Sequence, residues 1–109
     1  MNDRELLELA AKAAGMCGHT YGNSFCERVG NDLCKADHLW NPLTDDGDVL
    51  RLAVKLSINV FYRENINGVF VIADREGIKF CPELLSNDPY AATRRAIVRA
   101  AAEIGKGMK

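Results

Sequence analysis

At Ser57 the spacing of apolar residues changes from three-and-four to two, and no other feature of the chain limits its fold as much. Before the switch, Val49, Leu52, Ala53 and Leu56 make one stripe of a helix that starts at Thr44 or Asp45. Asp45, Asp46 and Asp48 fall in its first turn, where free N–H groups and the positive end of the dipole favour carboxylates. Arg51 and Lys55 fall toward the opposite end. After the switch, Ile58, Val60 and Tyr62 alternate with Asn59, Phe61 and Arg63. Asn67-Gly68 then supplies a two-residue hairpin turn before Val69 to Ala73. Asp74 to Gly77 marks another turn, and Ile78 to Cys81 reads as a third strand that Pro82 ends. The expected product is an antiparallel meander following a helix.

Two more helices flank this unit. Asn2 and Asp3 can cap a helix over about residues 3 to 14 whose stripe is Leu6, Leu9, Ala10 and Ala13, with Gly15 placed to close it. Asp88 before Pro89 marks the start of a last helix to about Ile104, since proline's missing N–H has no helical partner at that position anyway. Tyr90, Thr93, Ile97, Ala100, Ala101 and Ile104 lie on its inward side, and Gly105 and Gly107 release the tail. Between Gly15 and Leu39 neither period persists, so a short strand near Tyr21 to Phe25 or Asp32 to Trp40 is the expected ordered content of an irregular loop over about 16–39. The fold class expected is α+β, a single domain over 1–109 with a three- to four-stranded antiparallel sheet packed with three helices. Its core takes Ile58, Val60, Val69, Val71, Ile78 and Phe80 from strands, and Leu6, Leu9, Ala13, Val49, Leu52, Leu56, Ile97, Ala101 and Ile104 from helices.

A length of 109 residues suits one core, and 48% apolar residues suffice to build it. Fourteen Lys and Arg against fifteen Asp and Glu leave a net charge of −1, which gives no overall field favouring nucleic acid or anionic lipid. No apolar run approaches the roughly 20 residues that span a bilayer, and the opening MNDRELLELAAK lacks the basic-then-apolar order of a secretory leader. A cytoplasmic protein without a membrane partner is expected.

Three clusters could carry chemistry. Cys17, Cys26, Cys34 and His38, with His19 beside the first, offer three thiolates and an imidazole, a donor set that suits closed tetrahedral Zn²⁺. The spacing lacks a C-x2-C knuckle, and cysteine is also an ordinary small buried residue. A disulfide is the third possibility, and four cysteines allow three pairings. Asp45 and Asp46 invite a calcium reading, but alignment on Gly47 puts Ala53 where an EF-hand needs its bidentate Glu. An acidic helical turn or a partner-facing patch remains. Arg94, Arg95, Arg99, Lys106 and Lys109 face only Glu103 on the last helix, so Arg95 and Arg99 are candidates for a protein partner or for phosphates, against the plainer reading of a solvated face. No nucleophile elbow, phosphate-cradling glycine loop or His-Glu-x-x-His helix occurs, so neither catalysis nor a cofactor is expected, with structural zinc as the alternative.

Trp40 to Leu56 (WNPLTDDGDVLRLAVKL) and Asp88 to Gly105 (DPYAATRRAIVRAAAEIG), together with the opening helix and the FCPE turn at Phe80 to Glu83, resemble the bacteriophage alpha-beta-alpha sandwich domain. The resemblance implies a phage or prophage origin and an α+β fold. It brings no catalytic residues, because the family has no established reaction, and it does not extend to Cys17 through His38. The function it points to is that of an accessory protein binding a host or phage protein, with host antiviral systems among the targets. The alternatives are a structural-zinc or small-ligand module and a nucleic-acid-binding accessory domain.

Overall fold

The computed structural model describes residues 2–15, 18–21, 24–27, 39–66, 68–75, 81–85 and 88–108. In chain order these form α1 (Asp3–Ala13), β1 (Gly18–Tyr21), β2 (Ser24–Glu27), β3 (Leu39–Trp40), α2 (Asp46–Leu56), β4 (Asn59–Asn65), β5 (Gly68–Asp74), β6 (Cys81–Leu84) and α3 (Pro89–Lys106). The strands make two antiparallel sheets, ordered β1-β2-β3 and β4-β5-β6. The fold is α+β, with three helices and three-stranded antiparallel sheets among the described residues.

Each helix begins where a side chain can accept its first free N–H groups. Asn2 accepts from the Glu5 N–H at 2.8 Å, Asp45 from Gly47 at 2.8 Å and Asp48 at 3.3 Å, and Asp88 from Tyr90 at 3.1 Å and Ala91 at 3.0 Å. The turn into α2 is built by Asn41. Its carbonyl accepts from the N–H groups of Thr44 and Asp45, its side-chain oxygen accepts from the Leu43 N–H, and its own N–H donates to Asp48 Oδ2. Pro42 is fully buried beside it.

The change of period at Ser57 has a backbone cause. Ser57 sits in the left-handed region at φ 55°, and the Ser57 and Ile58 N–H groups close α2 onto the carbonyls of Val54 and Ala53. Serine is strained there and glycine is not. Ser57→Gly is therefore expected to stabilise the protein by about 0.5–1 kcal/mol. An unchanged or lower urea midpoint would contradict the αL cap.

The core lies between the helices and the β4-β5-β6 sheet. Leu6, Val49, Leu52, Leu56, Ile58, Val71 and Ala73 meet the buried run of α3 from Ala96 to Ala102 there. α1 runs parallel to α3: Asp3 meets Arg95, and Lys12 Nζ donates to the Met108 carbonyl. Small buried residues permit the close approach, Ala10 and Ala11 in α1 and Ala96, Ala100, Ala101 and Ala102 in α3. The closest point is Gly105, where an added Cβ would strike the backbone of Leu9, 2.9 Å from its carbonyl carbon and nearer still to the oxygen.

Several expectations need correction. Gly105 does not release the tail; it is buried inside α3, which continues to Lys106. The third strand of the meander is Cys81–Leu84, and Pro82 pairs with Ile72 inside it rather than ending it. Ile78 and Phe80 lie outside the described residues. Val69, assigned to the core, is 37% exposed near the hairpin end, and Tyr90 is exposed at the start of α3. In α1, Leu7 and Ala11 are buried whereas Leu9 and Ala13 are only half-buried, because the face turned to α3 is centred on Ala10. The stretch without a period holds a hairpin, β1 paired with β2 so that Tyr21 faces Ser24, and β3 adds to its far side through Cys26 opposite Leu39.

Candidate functional site

The four α3 cations that fall among the described residues face their own protein's carboxylates. Arg94 Nε donates to the Leu43 carbonyl at 2.9 Å, and its Nη1 bonds Asp46 Oδ1 at 2.7 Å, which ties α3 to the turn before α2. Arg95 Nη1 bonds Asp3 Oδ1 at 2.9 Å and approaches Glu83 through Nε at 3.9 Å. Arg99 donates through Nη1 to Glu83 Oε2. Lys106 pairs with Glu103 at 3.6 Å. The expected solvated basic face is thus a set of clasps joining α3 to α1, α2 and β6. Its carboxylate partners Asp3 and Glu83 come from other elements, which the charge tally of the helix alone omits.

Between α1, β6 and α3 lies an open groove of about 520 Å³ lined by Leu6, Glu83, Arg95, Arg99, Glu103 and Lys106. Three cations and two carboxylates alternate along it. Glu83, half-buried, occupies the place between Arg95 and Arg99 that a phosphate would need, so an incoming anion must displace an internal carboxylate before gaining both guanidinium groups. Among the described residues that line it, none offers a thiol, imidazole or hydroxyl as nucleophile or base.

The acidic cluster is also built into the scaffold. Asp45 caps α2, Asp46 holds Arg94, and Asp48 bonds the Asn41 N–H at 3.0 Å and Arg51 at 2.9 Å. Of the proposed metal ligands, Cys26 lies on the central strand β2, directly opposite His19 of β1. Cys17, Cys34 and His38 lie outside the described residues. Among the described residues no three His, Cys, Asp or Glu side chains are grouped to hold a metal ion. No helix among them is long and apolar enough to cross a membrane.

A different patch emerges where β4 meets the start of α3. Thr93 donates its hydroxyl proton to the Pro89 carbonyl at 2.8 Å, so the Tyr62 hydroxyl, 3.2 Å from Thr93 Oγ1, acts as donor to it. Tyr62 remains 58% exposed and Tyr90, one turn before Thr93, 71% exposed. Strand alternation puts Tyr62 on the core side with Ile58 and Val60. It is exposed because α3 packs on β5 and β6, leaving the β4 edge uncovered at that point. The signal available in the sequence was its tyrosine identity: an amphipathic ring suits a rim, where one end meets protein and the other water.

Comparison with known families, with curated proteins and with solved structures gives no match for this chain.

Proposed function

We propose that this is a small phage or prophage accessory protein of the bacterial cytoplasm that acts by binding a host or phage protein, with host antiviral defence systems as a target class. The observation that carries the reading is the exposed tyrosine pair, Tyr62 and Tyr90, bracketing Thr93. Tyrosines bury large area with few rotatable bonds and are enriched at the energetic centres of protein interfaces. The two motifs resembling the phage alpha-beta-alpha sandwich are what supports a phage or prophage lineage in this reading. The internal pairing of Arg94, Arg95 and Arg99 weighs against phosphate binding as the main role.

The test is affinity capture from phage-producing bacteria with wild-type protein and Tyr90→Ala in parallel. Tyr90 is exposed, so the variant should keep its stability while losing about 30-fold in affinity for a partner seated on the patch. A partner held equally by both proteins, or no partner at all, would remove the reading.

One observation favours a second reading, a structural-zinc module. The β1–β2 register brings His19 opposite Cys26, two of the donor types that the sequence supplies. Zinc at about one equivalent per chain in gently purified protein would support it, and less than about a tenth would end it.

A further inference from the structure

The hydrogen-bond parity of the β4-β5-β6 sheet decides which backbone groups face outward at each edge. The Leu85 N–H donates to the Val69 carbonyl at 2.8 Å, extending the β5–β6 ladder by one residue. Antiparallel pairs alternate between bonded and non-bonded, so Val69, Val71 and Ala73 point their backbone groups toward β6, and Gly68, Phe70, Ile72 and Asp74 toward β4. Their partners Asn65, Arg63, Phe61 and Asn59 therefore bond inward, and the N–H and C=O groups of Val60, Tyr62 and Glu64 point out of the sheet. Among the described residues none of these outward groups takes another backbone partner.

The two edges differ in how they treat this exposure. On β6 the outward positions are Pro82 and Leu84, so a proline removes a donor from a strand of only four residues. On β4 seven residues pair one-to-one with β5 from Asn59 opposite Asp74 to Asn65 opposite Gly68, without a bulge, a proline or a lysine. Of the devices that usually blunt an edge, β4 carries only the charges of Arg63 and Glu64.

We propose that β4 is a homodimer interface, in which two copies of this chain pair β4 to β4 antiparallel about Tyr62 and join their sheets into one of six strands. A two-fold axis normal to the sheet must place some residue opposite itself, and Tyr62, the midpoint of Asn59–Asn65, alone lets all seven residues pair. That register is self-complementary. Arg63, whose guanidinium lies 5.8 Å from the Phe61 ring of its own chain, comes opposite Phe61 of the second copy, and Glu64 comes opposite Val60. Centring on Arg63 or Glu64 would set like charges face to face. Ile66, 99% exposed at the hairpin turn, comes beside the start of β4 of the second copy, where pairing removes part of its side chain from water. The dimer brings the two Tyr62 rings together on the helix side of the joined sheet, while Tyr90 stays on α3. The inference rests on the edge; it takes Tyr62 into the dimer seam and leaves Tyr90 as the part of the tyrosine patch open to another protein.

Sedimentation equilibrium on the purified chain is expected to give twice the monomer mass at high concentration. Glu64→Pro deletes an outward donor at an exposed position and, by symmetry, does so twice per dimer. It should weaken the dimer about tenfold or more. Tyr62→Cys reports the register independently of that variant's folding: mild oxidation should link two chains through residue 62, as identified by peptide mass mapping against the four native cysteines, and Arg63→Cys should link far less. Monomer mass up to about 1 mM, a dimer without a link at residue 62, or a link favouring residue 63 would each overturn the proposal. Capture of a partner lost in Tyr90→Ala would still stand if the dimer failed, so the two readings fail separately.

Discussion

Gly105→Ala is expected to destabilise the protein by about 3 kcal/mol and to lower its melting midpoint by roughly 12–20 °C. The single added carbon lands against the carbonyl of Leu9, and both the struck atoms and the residue carrying the new methyl belong to helix backbones. No rotamer change can relieve that contact, so α1 must move away from α3 along the closest-packed seam of the molecule. In an open helix the same substitution would instead stabilise by about 1 kcal/mol, because alanine is the better helix former. The sign of the measured change therefore separates the two effects. Gly107→Ala is the control: a methyl there meets nothing nearer than the Ile104 carbonyl oxygen at 3.6 Å, and the change in midpoint should be small. Equal midpoints for Gly105→Ala and wild type in calorimetry would mean that the two helices do not touch as described.

Leu52→Asp should leave the chain largely unfolded at neutral pH. Leu52 is 3% exposed in the cluster that α2 contributes to the core, and aspartate there would strand a carboxylate among Val49, Leu56 and the alanines of α3. The lost apolar burial and the unsatisfied charge together exceed about 4 kcal/mol, a large part of the stability of a domain of this size. Leu50→Asp, two residues earlier on the exposed side of the same helix, should stay within about 0.5 kcal/mol of wild type. Circular dichroism of the pair reads the orientation of α2 directly. A folded Leu52→Asp beside an unfolded Leu50→Asp would reverse it.

These two sites show unequal legibility. Leu52 was readable because α2 repeats its apolar stripe over several turns, and the caps Asn2, Asp45 and Asp88 were readable because a helix N-terminus requires an acceptor whatever surrounds it. Gly105 was misread. Glycine near a helix end usually marks release, and nothing local distinguishes that from a glycine required by a helix packed against it. Arg95 and Arg99 were legible as a charged face but not as clasps, since Asp3 lies 92 residues from Arg95 and Glu83 lies 16 from Arg99. The β1–β2 hairpin escaped for another reason: strands of four residues contain too few alternations to establish a period against the glycines around them. Pro82 reads as a terminator because a proline lacks a donor. An edge strand tolerates that loss wherever its N–H would have pointed to water.

The parallel seating of α1 on α3 also bears on how the protein is made. α1 is synthesised well before α3, so at translation speeds of about 5–20 residues per second Leu6, Leu7 and Ala10 wait several seconds on the ribosome for the helix that covers them. During that interval the nascent chain presents a sticky amphipathic segment, which is where a holdase would bind. Native structure can close only after α3 has cleared the exit tunnel, so the contacts between α1 and α3 form late and across a long stretch of sequence, which slows folding.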